Sequence, residues 1–128
     1  MDVKNKRVVV TGAASGIGKA LCEAFHQAKA QSVIAVDMNF DGAQDTADSV
    51  NGIAVQANVG NEKDIINVIE KADEHAGGTD IFCSNAGIGG VPGFFEVEAS
   101  DWQNIWDVNV QSHIFAAKHV LPQMIDRG

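Results

Sequence analysis

The sequence predicts an α/β chain in which helices cover both faces of one doubly wound parallel sheet. Three observations carry that expectation. Short apolar runs rich in β-branched residues recur along the chain, the spans between them have helical spacing with start and stop signals, and three glycines join the first run to the first helical span. Continuous rather than alternating runs are what strands buried on both faces require. Strands separated by helices imply right-handed crossovers between parallel neighbours.

The elements follow in order. The first strand is "RVVVT" (7–11), and "GAASGIG" (12–18) turns it into a helix through Gly12, Gly16 and Gly18. The second strand, "SVIAVD" (32–37), closes on Asp37. Beyond it, Asp41 and Gln44 have the spacing of a capping box, in which the first side chain accepts from an orphan N–H and the second reaches back to the backbone. The third strand is "GIAVQA" (52–57); Asn61 then caps a helix, with Glu62 and Asp64 placing negative charge at its positive end and "HAGG" (75–78) ending it. The fourth strand, "DIFCS" (80–84), runs into the glycine-rich "NAGIGGVPG" (85–93), which reads as a loop.

Ser100 and Gln103 repeat the capping-box spacing ahead of a nearly continuous helix over 100–127, bent where Pro122 deletes a backbone bond. Trp106, Val110, Ile114, Ala117, Leu121 and Met124 line one stripe of it, and Trp102, Ile105, Ala116 and Val120 widen that stripe beyond what one buried face needs. A second face is therefore expected to meet another surface.

At 128 residues and 45% hydrophobic content, the chain has the material for one domain, 1–128, and no more. Seventeen acidic against nine basic residues give a net charge of −8 with no basic stripe, which excludes nucleic acid as a partner. Cys22 and Cys83 have no metal-like spacing to each other or to His26, His75, His113 and His119, so no metal is expected, and two thiols make no disulfide framework. The three-residue apolar run near the start is too short for a signal segment or a membrane span. A soluble, cytoplasmic protein with no membrane partner is the expectation. Cys83 reads as core, and neither Ser84 nor Ser100 is assigned a catalytic role.

The glycines have an explanation in phosphate chemistry. Where a strand turns tightly into a helix, the free N–H groups and the positive end of the helix favour an anion. Gly12 permits the turn, Gly16 a close approach of backbone to a pyrophosphate, and Gly18 the packing of helix on sheet. The spacing G-x-x-x-G-x-G differs from the commoner G-x-G-x-x-G, so the turn alone is weak evidence. Asp37 strengthens it: an acid at the end of the second strand, 19 residues beyond Gly18, can accept from the hydroxyls of an adenosine ribose and would repel a 2′-phosphate.

"TGAASGIG" (11–18), "SNAG" (84–87) and "VNV" (108–110), in this order, resemble the short-chain dehydrogenases/reductases over the whole chain. The resemblance implies a Rossmann-like fold that stops after four strands and the long fifth helix, strand order 3-2-1-4, and a dinucleotide at the switch point between strands 1 and 4. It implies that Gly12, Ser15, Gly16, Ile17 and Gly18 surround the pyrophosphate, that Asp37 and the backbone at Met38 take the ribose, that Asn58 and Val59 meet the adenine, and that Asn85, Ala86 and Gly87 lie under the centre of the cofactor. Asn58 stands where the family usually has Asp, which keeps an acceptor and removes its charge. NADP-preferring relatives carry a basic residue in the glycine loop or after the second strand; Ser15 and Asp37-Met38-Asn39 here imply NAD.

Such enzymes move a hydride between nicotinamide and an alcohol or carbonyl carbon, using Tyr, Lys and Ser, with an Asn matching Asn109 holding water behind the Lys. This chain contains no tyrosine. Two readings follow: the N-terminal cofactor-binding half of an NAD-dependent oxidoreductase, or a non-catalytic nucleotide-binding or interaction module. Asn109, a polar residue on an apolar helical face, carries a burial cost unless it is hydrogen-bonded, so it needs a functional or a structural contact. By the same resemblance the helix 100–127 packs on its counterpart in a second subunit, making a homo-oligomer, while the fourth strand is left as a bare edge prone to self-association.

Overall fold

The computed structural model describes residues 2–90 and 93–128, so the loop expected over 85–93 is described except at Val91 and Pro92. The strands are β1 (Arg7–Thr11), β2 (Ser32–Asp37), β3 (Ile53–Gln56) and β4 (Ile81–Cys83). The first three helices are α1 (Gly16–Gln27), α2 (Phe40–Ser49) and α3 (Glu62–Ala76). A long rod follows, made of α4 (Ala99–Trp106), a π-helical turn (Asp107–Gln111) and α5 (Ser112–Arg127). All strand pairs are parallel, in the order β3-β2-β1-β4. This is the first half of the doubly wound arrangement that the sequence predicts.

The valines of β1 show why the sheet is covered twice. Val8 and Val10 point into a cluster with Cys22 of α1 and Ala47 of α2, while Val9 points the other way, against Val68 and Ala72 of α3. All three valines are fully buried. At roughly 1.5–3 kcal/mol for each side chain removed from water, burial of these valines on both faces stabilises the sheet from its centre. A third cluster, including Ile65, Ile69, Val108 and Val120, joins α3 to the rod.

The opposite end of the sheet is closed by charge. Arg7 donates to both carboxylate oxygens of Asp80, from Nε at 2.8 Å and from Nη2 at 2.5 Å, and to the carbonyl of Gly77 at 2.6 Å. Arg127 reaches the carbonyl of Thr79, so the end of the rod is tied to the start of β4.

Several local expectations are corrected. The cap of α2 is Asn39, accepting from Gly42 N–H at 3.2 Å, rather than Asp41, and Gln44 donates to Asp48 one helical turn on. The rod starts at Glu98, whose N–H donates to Asp101 at 2.9 Å; Ser100 lies inside the helix and Gln103 donates to Asp107. Asn61 does cap α3, and Gly77 ends it at φ +78°, as the spacing requires. The buried row of the rod is Val108, Ser112, Ala116 and Val120. Of the apolar positions read along the rod, Ala116 and Val120 are buried, while Trp106, Val110, Ile114 and Leu121 are exposed on a second apolar face. The π-turn adds a residue to one turn and rotates everything after it, which a 3.6-residue period cannot anticipate.

Candidate functional site

The carboxyl ends of β1, β2 and β4 meet at one cleft. Gly12 leaves β1 at φ +70°, and a Cβ there would stand 3.0 Å from the Cα of Ala86. A Cβ on Gly18 would stand 1.9 Å from the carbonyl oxygen of Gly12, so only glycine lets α1 seat this closely on the turn. Gly16 differs: its φ is +54°, yet the space around a Cβ would be open. Ser15 caps α1 by position without its side chain bonding to the backbone, which leaves the first N–H groups of the helix facing outward with no acidic residue in the first turn. The whole turn is pinned from behind by Thr46, whose hydroxyl donates to the carbonyl of Ala13 at 2.8 Å.

Asp37 closes β2 beside this turn. One carboxylate oxygen accepts from Ala14 N–H and the other from Asn39 N–H, each at 3.0 Å. A carboxylate offers about four lone-pair sites, so two remain for a ligand. Asp37 lines the cleft both with the glycine turn and with Met38, Asn58 and Val59. Asn58 is held as a turn residue: its Oδ1 accepts from Gly60 N–H at 3.0 Å, and its own N–H donates to Asp64 at 2.9 Å. The acceptor expected to face a base is therefore already engaged.

At the β4 side, the amide of Asn85 donates to the carbonyl of Thr11 at 3.0 Å, and the Thr11 hydroxyl accepts from the N–H groups of Asn85 and Ala86, each at 3.0 Å. Thr11 fixes the whole β4 exit and was missed from the sequence. Its signal was there, a lone hydroxyl ending a run of buried valines. Further on, Asn109 in the π-turn accepts from Ile88 N–H and donates to Ile88 C=O, both at 2.8 Å. This two-point clamp is a structural contact of the kind the polar residue requires, and it sets the path of the chain just after Gly87.

Gly12, Asp37, Met38, Asn58, Val59, Ala86 and Gly87 line one cleft of about 120 Å³, which shares Gly12, Asp37, Ala86 and Gly87 with an adjoining hollow over Ser15, Gly16, Ile17, Gly18 and Asn85. The residues singled out in the sequence, Asn109 apart, thus line one continuous concavity. Among the described residues lining it, none is Lys or Arg. The thiols lie elsewhere: burial pushes Cys22 up to about 11 and also raises Cys83, so both stay protonated at neutral pH, Cys22 within the core and Cys83 half-buried against it.

A glycine turn on a doubly wound sheet, with an acid at the end of the second strand, defines a dinucleotide-binding class of fold. Comparison with known proteins narrows it. The short chain dehydrogenase family model matches residues 6–128, and the chain belongs to that family. It is 35% identical over 130 residues to glucose 1-dehydrogenase 2 of Bacillus subtilis (strain 168), covering 97% of this chain and 50% of that protein. It is 32% identical over 135 residues to 1-deoxy-11-beta-hydroxypentalenate dehydrogenase of Streptomyces exfoliatus, covering 100% of this chain and 49% of that one. Among solved structures, L-sorbose reductase from Gluconobacter frateurii, complexed with NADPH and L-sorbose, superposes with a TM-score of 0.91 at 29% identity, over 100% of this chain and 51% of that one. The chain spans about half the length of the curated relatives it matches.

Proposed function

We propose that this chain is the cofactor-binding half of an NAD-dependent oxidoreductase acting on a small-molecule alcohol or carbonyl substrate. The observation that carries the proposal is the single concavity in which the glycine turn, Asp37 and the Asn85–Gly87 segment converge. The bound dinucleotide would supply a nicotinamide carbon able to take or give a hydride. The protein's own groups do the holding. The outward N–H groups at the start of α1 receive the pyrophosphate, with Gly12, Ser15, Gly16, Ile17 and Gly18 around it. Asp37 accepts from the ribose hydroxyls, Met38, Asn58 and Val59 border the base, and Asn85, Ala86 and Gly87 support the centre of the dinucleotide.

Charge favours NAD over NADP. A 2′-phosphate would lie against the negative Asp37 in a cleft whose described lining holds no Lys or Arg. Titration calorimetry should therefore give binding of NAD at least about tenfold tighter than NADP, a gap that Asp37→Asn narrows by removing the charge while keeping one acceptor. Equal affinity for the two cofactors would overturn the assignment.

The 128 residues contain no tyrosine, which favours the second reading, a nucleotide-binding module without turnover, for these residues by themselves. No NAD-dependent alcohol oxidation is expected from the purified chain. In the complete catalytic unit Asn109 serves beside the catalytic groups, and the exposed Trp102, Trp106, Ile114 and Leu121 join the rod to a second subunit, in a cytoplasmic enzyme.

A further inference from the structure

We propose that α2 tunes the glycine turn from behind, with Thr46 as a positioning residue for phosphate binding and Gly42 as the seat that lets it reach the turn. This rests on the dinucleotide reading above. The path of the turn is fixed at one peptide. Ala13 N–H donates to the carbonyl of Val36 at 3.0 Å, and Ala14 N–H donates to Asp37 at 3.0 Å. The carbonyl between them, that of Ala13, accepts from the Thr46 hydroxyl at 2.8 Å, and among the described residues no other donor reaches it. Ala13 and Thr46 are both fully buried, so bulk water does not replace the hydroxyl.

A Thr hydroxyl has one proton to give, and inside a helix it often bonds the carbonyl four residues back. For Thr46 that carbonyl belongs to Gly42, at 3.1 Å, and the Ala13 carbonyl is nearer. The hydroxyl therefore serves the turn as well as its own helix. It reaches because α2 lies so close: a Cβ on Gly42 would stand 2.7 Å from the Cβ of Ala14. Gly12 and Gly16, on either side of the peptide, both have positive φ, and Ser15 adds no side-chain bond to the backbone. Without the hydroxyl, the Ala13 peptide is free to rotate toward another donor, and the N–H groups at the start of α1 move with it. Asp37 keeps its second tie, to Asn39 N–H, and Val59 lies beyond β3, so the adenosine side of the cleft is left in place.

The experiment titrates the ¹⁵N-labelled 128-residue chain and three variants with ADP and with adenosine, followed by amide NMR, which reads millimolar affinities. Thr46→Val is expected to bind ADP about tenfold more weakly than the native chain, the size of one buried hydrogen bond, and adenosine within about twofold of it. Thr46→Ser keeps the hydroxyl and should restore ADP binding to within about threefold. Gly42→Ala keeps the hydroxyl but forces α2 away from the turn; it should repeat the ADP-selective loss, and it reports even if Thr46→Val folds poorly. Unchanged ADP binding in Thr46→Val and Gly42→Ala, or equal losses for ADP and adenosine, would overturn the role of α2 while leaving the cleft reading intact. Binding of neither ligand by the native chain would overturn both.

Discussion

Glycines with one sequence signature do different work at the level of single residues. Gly18 is sterically required, since a methyl there would overlap the Gly12 carbonyl, whereas Gly16 is required only by its positive φ. Gly18→Ala should cost about 3 kcal/mol or more through overpacking, and Gly16→Ala about 1–2 kcal/mol through backbone strain alone. Urea unfolding of the two variants would separate these causes, and equal losses would contradict them. At the far end of the sheet, the hydrogen bond from Arg7, opposed by burial, holds the Asp80 carboxyl well below the usual carboxylate range. A depressed folded-state pKa contributes stability in full above the unfolded value near ~3.9, and that stability is lost as pH falls through the folded value. Asp80→Asn is therefore expected to cost about 2 kcal/mol at neutral pH, with the difference from the native chain shrinking only below about pH 4. A deficit that is constant into strong acid would show that the pair does not carry it.

Among the elements, those whose reasons are local were legible in the sequence. β1 and β2 have the expected limits because continuous valine and isoleucine runs can only be buried strands in a chain like this. β3 and β4 are shorter than expected, since backbone pairing stops before the apolar run does: Gly52 gives its N–H to Ala47 in the α2 exit, and Asn85 gives its own to Thr11. The caps of α2 and α4 moved because several acids and amides in a row all fit a capping pattern, and only packing selects one. The π-turn of the rod, where Asn109 is clamped to Ile88, was not legible, because the helical period does not report a tertiary contact. Asn109→Ala should cost about 1–2 kcal/mol for two lost hydrogen bonds and abolish the slow exchange of the Ile88 amide, which hydrogen-exchange NMR reads directly. An unchanged Ile88 amide would mean that the turn stands without its clamp.

Across the whole molecule, the described sheet ends at β4, whose Ile81, Phe82 and Cys83 are only half buried. Beside it runs a groove of about 360 Å³ formed with Ala116, Ala117, Val120 and Leu121 of α5. An uncovered parallel edge next to apolar surface favours association, so sedimentation velocity should show a mass that rises with concentration above 13.5 kDa. Leu121→Glu should reduce that rise; a monomer at every concentration would contradict the expectation. The fold and the cleft were readable because the glycine turn, the strand-ending acid and the "SNAG" segment each have a chemical reason to sit where they do. The supporting contacts of Thr11, Thr46 and Ile88 were not, because they join positions up to 75, 33 and 21 residues apart, respectively. The most direct measurement is a titration of the ¹⁵N-labelled chain with NAD, followed by amide NMR. Binding at the cleft predicts shifts concentrated at Gly12, Gly16, Gly18, Asp37, Val59, Ala86 and Gly87, whereas no shifts, or shifts confined to the Arg7–Asp80 end of the sheet, would contradict it.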